Sequence, residues 1–339
     1  MALNIENKVD LALYLKQNGY LAEQEKWEMK ILHGGVSNRT VWVKKGDGTS
    51  WVFKQALEIL RVSTDWYSHP RRIAQEALGL EWFAKFCPER SVPNLVFFDE
   101  DSYLLAMEAV QEPHGNLKEL LLKGKMEAYY FQQLGALLGR IHSGGQQTRL
   151  ETQRALQEYA FFESLRLEPY YLYTAQKLGE ASLFMHNLCQ ITRKRRYTLV
   201  HGDYSPKNIL IHQGQLILLD YEVAHFGDGT FDIGFLLTHL LSKANHLPRY
   251  RSPLIRGAKD FWENYMEKVQ IGWTAEKEER AVAHTIACLL ARVHGRSPLE
   301  YLSQSQKKSQ TQLALSFIQQ RPTSIFNLIE RFQLNLSHA

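Results

Sequence analysis

The chain has 339 residues, 45% of them hydrophobic, which is enough to bury a full core in one large domain or two lobes and too apolar for a disordered chain. Its 40 basic and 36 acidic residues leave a formal charge of only +4, a slight imbalance that argues against a surface built to hold a polyanion such as nucleic acid. The N-terminal stretch MALNIENKVDLALYLKQNGY has no basic start followed by an apolar core, and no run approaches about 18 apolar residues, so a soluble, cytoplasmic protein with no membrane partner is expected. Cys87, Cys189 and Cys288 are scattered, without paired metal-ligand spacing, and read as buried thiols of a reducing compartment.

In chain order, NKVDLALYLKQN (7–18) places Val9, Leu11, Leu13 and Leu15 among polar residues ahead of Gly19, which predicts a short helix stopped by a glycine. From Lys30 the texture changes. TVWVKK and TSWVFKQ, two β-branched or aromatic runs joined by GDG, predict a hairpin, and NLVFFDEDSYLLAMEAV predicts a second that turns near Asp99 to Ser102. Between them HPRRIAQEALGLEWFAKF repeats apolar residues at helical spacing (Ile73, Ala77, Leu80, Phe83, Ala84) behind a proline suited to a first turn. Beyond Pro113 and Gly115 the chain is helical in pattern, apart from a β island at 197–220, and this sets a lobe boundary near residue 110. The basic run RKRR, Arg193 to Arg196, reads as a solvated helix end in preference to a phosphate or nucleic-acid patch.

The chemistry concentrates in the β island. YTLVHGD reads as a strand feeding a loop, and NILIHQGQLILLD as a tight hairpin, so Asp203 falls on the loop, Asn208 at its far end and Asp220 at the end of the next strand pair. A carboxylate able to accept a hydroxyl proton, with an amide and a second carboxylate downstream, is the set that phosphoryl transfer from a magnesium nucleotide requires. Asp, four residues, then Asn is also the spacing of the protein-kinase catalytic loop, here opened by His-Gly-Asp.

On these residues the sequence resembles the aminoglycoside phosphotransferase and choline kinase group of small-molecule kinases, which share a protein-kinase-like fold. The resemblance implies an α+β, two-lobed molecule: residues 1–110 a small β-rich N-lobe with one main helix, and residues 111–339 a large, mainly helical C-lobe holding the catalytic hairpin and the acceptor pocket. It implies ATP and Mg²⁺ as cofactors. LHGGVSNRT (32–40) then corresponds to the phosphate-covering loop, with Gly34, Gly35, Ser37 and Asn38 close to the nucleotide. Lys54 takes the place of the α/β-phosphate lysine, Glu76 that of its ion-pair partner, and Glu108 to Val110 that of the hinge that meets adenine. In LDYEVAHFGDGTFDIG, Asp220 is the expected magnesium ligand with Asn208, Glu222 a further one, and Asp232 the buried acid bracing the catalytic loop, while Asp203 is the expected base.

The departures from protein kinases carry information too. Only eleven residues separate Asp220 from Asp232, too few for a peptide-docking platform. Gly202 stands in place of an arginine that would read an activation-loop phosphate, and Ser205 in place of a lysine, a role that Lys207 is weighed for against a plain solvent-facing position. The expected function is transfer of a γ-phosphate to a hydroxyl of a small molecule, an amino alcohol, sugar or related metabolite. A nucleotide-binding pseudokinase scaffold is the alternative function and an aminoglycoside the alternative substrate. The net basic chain, with few acids assignable to the acceptor side (Glu222, Asp228), disfavours a polycationic antibiotic. Arg292, His294 and Arg296 stand where a helix gives way at Gly295 and Pro298; the segment of Arg292 resembles one shared by a bacterial subset of these kinases, which implies an anionic or hydroxylated acceptor, with a structural salt bridge the favoured reading. His142, at an expected helix end, and His201 read as packing or loop-supporting histidines, and the aromatics of STDWYSHP (63–70) as packing between lobes. Oligomeric state and the choice between ATP and GTP are open at this point.

Overall fold

The computed structural model describes residues 3–33, 35–62, 65–269 and 272–337. Gly34, Ser63 and Thr64, each part of an expectation above, lie outside the described residues. The first half of the chain builds a five-stranded antiparallel sheet in the order β1 (Trp27–Ile31), β2 (Asn38–Lys45), β3 (Ser50–Ala56), β5 (Leu104–Glu108) and β4 (Leu95–Asp99). Strand alternation in β3 decides what this sheet can do. Trp51 and Phe53 point to a small core shared with Leu11 and Leu15 of the N-terminal helix, Lys8–Gln17, which Asn7 caps by accepting from the amides of Val9 and Asp10. Val52 and Ala56 point the other way, into the main core, and Lys54 lies between them on that same face. The sheet therefore turns Lys54 toward the Arg72–Ala84 helix, whose buried face carries Arg72 and Glu76 one turn apart.

The rest of the chain is a helical lobe. The Thr230–His246 helix is buried on nearly all sides and packs against the Ala275–His294 and Arg251–Lys268 helices, the last of which lies along Ala128–Gln147. Residues Glu163–Leu172 form a wide π-type helix, a form that recurs at functional sites because its extra residue per turn redirects side chains; Arg166 and Tyr170 project from it. The HGDYSPKNIL segment sits on two small sheets: β7 (Thr198–Val200) paired with β10 (His225–Gly227), and the β8–β9 hairpin (Ile209–His212, Gln215–Leu218) joined by β6 (His114–Asn116).

The small sheets correct the sequence reading at both ends: β6 and β10, three residues each and lacking any alternating pattern, lie outside the expected island at 197–220. His142 does not end its helix, which runs on through Gly144 and Gly145 to Gln147. It is buried in the interior, bonded to the Tyr265 hydroxyl at 3.0 Å. The basic run Arg193 to Arg196 is largely neutralised, Arg193 by Glu163 and Arg195 by Glu276, with Arg196 lying 4.2 Å from the Tyr159 ring centre. Trp66 joins the lobes by donating to the Ser164 carbonyl at 3.0 Å, whereas Tyr67 is exposed. Among the described residues no helix is long and apolar enough to cross a membrane.

Candidate active site

The site forms where β3, the Arg72–Ala84 helix and the loop after β7 meet. Lys54 Nζ bonds Glu76 Oε1 at 2.7 Å and Asp220 Oδ1 at 3.0 Å, so one buried ammonium ties sheet, helix and catalytic hairpin together. Burial works against its charge, but the Asp220 and Glu76 carboxylates outweigh it and raise the lysine above its ordinary range. Burial pushes Glu76 up to about 7 against the pull of Lys54. Burial also opposes the charge on Asp220, yet Lys54 and Lys207 hold it well below the usual carboxylate range, so it stays ionised. Asp220 has φ 74, a left-handed conformation unusual for a residue with a Cβ and a mark of backbone held for a purpose. Close packing holds it there: a Cβ on Gly79 would lie 2.2 Å from that of Tyr221, so only glycine lets the Glu76 helix approach the Asp220 segment this closely.

Asp203 is 1% exposed and its two oxygens differ. Oδ2 accepts from Asn208 Nδ2 at 2.8 Å and forms ion pairs with Lys207 Nζ at 2.8 Å and Arg166 Nη2 at 3.0 Å. Oδ1 is buried and has no partner among the described residues. Burial alone would raise the group, but the Arg166 and Lys207 charges override it and keep the carboxylate ionised. The loop carrying it is fixed from beneath: Asp232 accepts the amides of His201 at 2.7 Å and Gly202 at 2.8 Å. His201 Nδ1 accepts the Asp203 amide at 3.1 Å while Nε2 faces the Leu219 carbonyl at 3.1 Å, which sets one neutral tautomer, and burial keeps its pKa low. Gly202 has φ 75, and a Cβ there would press on Val223 at 2.9 Å, so this loop excludes the arginine of protein kinases on backbone grounds.

Sequence reasoning passed over two residues. Arg166, 36 positions before Gly202, donates to the Gly202 carbonyl at 2.7 Å and forms an ion pair with Asp203. No local pattern marks it, because the contact depends on the wide turn of its helix. Arg72 is fully buried, pairs with Glu222 at 3.0 Å and donates to the carbonyls of Ser37, Leu57 and Ser68, binding the phosphate-loop segment to the helix. Its signal was present: it lies four residues before Glu76, on the same helix face.

The other expected residues fall as follows. Ser37 and Asn38 are buried beside the helix, and Asn38 donates to Glu222 at 3.3 Å. Glu222 is thus held by Arg72 and Asn38, a structural bond that the sequence did not foretell beside its expected metal role. A Cβ on Gly35 would meet open space. In the hinge the amides of Glu108 and Ala109 are spent on the Asn94 and Ser50 carbonyls, which leaves Val110 as the segment's candidate donor. Asn208 uses its amide nitrogen on Asp203, leaving Oδ1 as its open face. Asp228 is buried and paired with Arg280 at 2.8 Å. His294 bonds Thr311 and Arg296 bonds Glu168. Arg292, for which a salt bridge was favoured, has no carboxylate within ion-pair distance among the described residues; it donates to Ser297 and, at 3.2 Å, to the Tyr170 hydroxyl.

A profile of the phosphotransferase enzyme family matches residues 28–269, the span from β1 through the whole of this site. The chain belongs to that family. It is 24% identical to a methylthioribose kinase of Oryza sativa subsp. japonica over 91% of this chain and 80% of that one, and 25% identical to the methylthioribose kinase of Escherichia coli over 75% and 67%. Among solved structures, an amicoumacin kinase in complex with AMP-PNP, Ca²⁺ and its antibiotic superposes with a TM-score of 0.60 at 18% identity, covering 94% of this chain and 96% of that one. An ethanolamine kinase of Plasmodium vivax superposes with 0.57 at 12% identity, covering 93% and 91%. The fold is protein-kinase-like, and the phosphotransferase is a small-molecule kinase that uses ATP and a divalent metal. The donor set fits such a metal: Asp220, a fifth exposed and with only Oδ1 taken by Lys54, and the open Oδ1 of Asn208 are hard oxygen donors of the type Mg²⁺ selects alongside phosphate oxygens.

Proposed function

We propose that this phosphotransferase moves the γ-phosphate of Mg²⁺-bound ATP to a hydroxyl of a small metabolite, in the cytoplasm, with Asp203 as the group that receives the hydroxyl proton. The orphaned Oδ1 of Asp203 carries the reading: a buried, ionised carboxylate oxygen without a partner is costly unless a donor arrives, and an acceptor hydroxyl is such a donor. Arg166, Lys207 and Asn208 hold Oδ2 and so aim Oδ1, which fixes the hydroxyl for in-line attack. Lys54, fixed by Glu76, would align the α and β phosphates, with Gly35, Ser37 and Asn38 as the residues to cover them. Asp220 and Asn208, with Glu222 as a further candidate, would hold Mg²⁺, which when bound neutralises charge on the transferring phosphoryl group. Lys207 stands beside the base, where its ammonium can meet the γ-phosphate as the group leaves ADP.

For the acceptor, the methylthioribose named for the curated relatives makes a pentose-like hydroxyl compound the first to try, ahead of amino alcohols and aminoglycosides. ADP release from ATP, with and without a panel of sugars, sugar derivatives and amino alcohols, tests the proposal. Stimulation by at least one acceptor together with its phosphorylated product supports transfer, and tight nucleotide binding with no stimulated turnover across the panel would return the chain to a scaffold.

A further inference from the structure

Linked to the proposed base through Tyr170 and Arg166 lie two buried basic side chains, Lys243 and Arg292, that have no carboxylate within ion-pair distance among the described residues. Lys243, on the Thr230–His246 helix, is 0% exposed; its Nζ makes one long contact, 3.4 Å to the His239 carbonyl, and lies 5.3 Å from the Tyr301 ring centre. Arg292 is 7% exposed, with its Nε buried and unpartnered among the described residues. His239 Nε2 and the Tyr301 hydroxyl are likewise buried without a partner. The nearest acid, Glu300, is already paired with Lys118. Tyr170 links the group to the reaction centre: its ring lies 5.6 Å from the Arg292 guanidinium and 5.7 Å from that of Arg166, which binds Asp203. The fields of Arg292, Lys243, Lys207 and Lys118 all fall on His239, and together with burial they hold its proton affinity well below the usual range. Burial, followed by Lys118 and Arg292, holds Lys243 down to about 7.

Buried cations without counter-charges cost stability, and a fold retains them where a ligand supplies the missing charge. We propose that this group is an anion subsite of the acceptor pocket: the small molecule that offers a hydroxyl to Asp203 carries an oxyanion, a carboxylate or a phosphate, that Lys243 and Arg292 bind. The inference rests on the kinase reading of the same site and moves its substrate from neutral compounds such as methylthioribose to hydroxy acids, sugar acids or sugar phosphates. It sets this phosphotransferase apart from one built for a polycation, whose pocket would need carboxylates where these cations stand.

Inorganic phosphate serves as the first probe, with Mg²⁺ and AMP-PNP saturating the nucleotide site so that phosphate cannot enter there. Phosphate should raise the Tm of the parent beyond KCl at equal ionic strength, and the gain should vanish in Arg292→Met and Lys243→Met. A gain no larger than that of KCl, or one that persists in both variants, overturns the proposal. Should Lys243→Met fail to fold, Arg292→Met alone decides, with Arg292→Lys expected to restore part of the gain. Turnover gives the second reading through matched pairs, glycerol against glycerate and glucose against glucuronate and glucose 6-phosphate, with choline as the cationic control. The acidic members should be preferred, and Arg292→Met should raise KM for them by about 10- to 100-fold while lowering kcat far less. Preference for a neutral or cationic acceptor would defeat the anion subsite and leave the kinase reading standing, whereas failure of the parent to bind Mg²⁺ and AMP-PNP would defeat the kinase reading itself.

Discussion

Lys54 and Lys243 are both buried lysines, one proposed to align the nucleotide and the other to bind the acceptor, yet their surroundings oppose each other. Lys54 meets two carboxylates within 3.0 Å and its charge is strengthened; Lys243 has no carboxylate within ion-pair distance among the described residues, and burial brings it down to about 7. A lysine paired within the fold can hold its geometry before any ligand arrives, which suits a group that must align phosphates in every turnover. A lysine left unpaired keeps its binding capacity for something outside the chain and costs stability meanwhile. On the proposed reading the two lysines divide the work: preorganisation toward the nucleotide, selection of the acceptor.

The largest effect should come from breaking the paired side at the metal. Asp220→Ala is expected to abolish transfer, a loss of at least about a thousandfold, while the chain stays folded, since the missing charge neutralisation falls on the transition state. Activity at ordinary Mg²⁺ equal to that of the parent would remove Asp220 from the metal site.

Exchanging each lysine for methionine sharpens the contrast. Lys54→Met should lower kcat more than nucleotide affinity and also cost roughly 3–5 kcal/mol of stability, because Glu76 and Asp220 are left without their cation. Lys243→Met should do the reverse to the free protein and raise its Tm. Thermal melts of the two variants without ligand read both signs at once, and a fall in Tm for Lys243→Met would contradict the division drawn between them.

A smaller effect is a pH dependence confined to the acceptor side. The unfolded chain keeps the Lys243 proton up to its ordinary 10.5, while the folded chain releases it near 7 under burial and the fields of Lys118 and Arg292, opposed only by Glu300, with His239 neutral beside it. Between those values the unfolded state binds more protons, so stability rises with pH; the penalty is full below 7 and gone above about 10.5. Relative to Lys243→Met, the parent should gain a few kcal/mol from pH 7 to 10 in denaturant titrations. Parallel pH curves for the two proteins would show that Lys243 is charged and partnered after all.

Local chemistry was readable in the sequence where it sat on contiguous chain. HGDYSPKNIL carries the proposed base, its bracing histidine and the amide within one loop, and the fold's order of hairpin, helix, hairpin could be taken from period-two and helical patterns around Lys54 and Glu76. Contacts made across the fold were not readable. Arg166 reaches Asp203 only because a π-type helix swings it there, and the three-residue β6 and β10 exist through pairing alone. Arg292 was weighed toward a salt bridge from its residue type, and nothing local revealed that Lys118 had already taken Glu300. Lys243 did leave a trace, a lone cation in the apolar run GFLLTHLLSKA of a helix buried on every side.

The central claim, that the paired charges hold Asp203 as the base of phosphoryl transfer, is tested most directly by Asp203→Asn. Turnover of the identified acceptor and the affinity for Mg²⁺ and AMP-PNP should be measured on the same preparation. The amide keeps the shape of the carboxylate but cannot take a proton, so turnover should fall by roughly 10²- to 10⁴-fold. Nucleotide affinity should stay within a few-fold of the parent, because the proposed metal ligands are Asn208 and Asp220, not Asp203. Turnover at the parental rate would contradict the account and make HGDYSPKNIL a loop that only braces the fold.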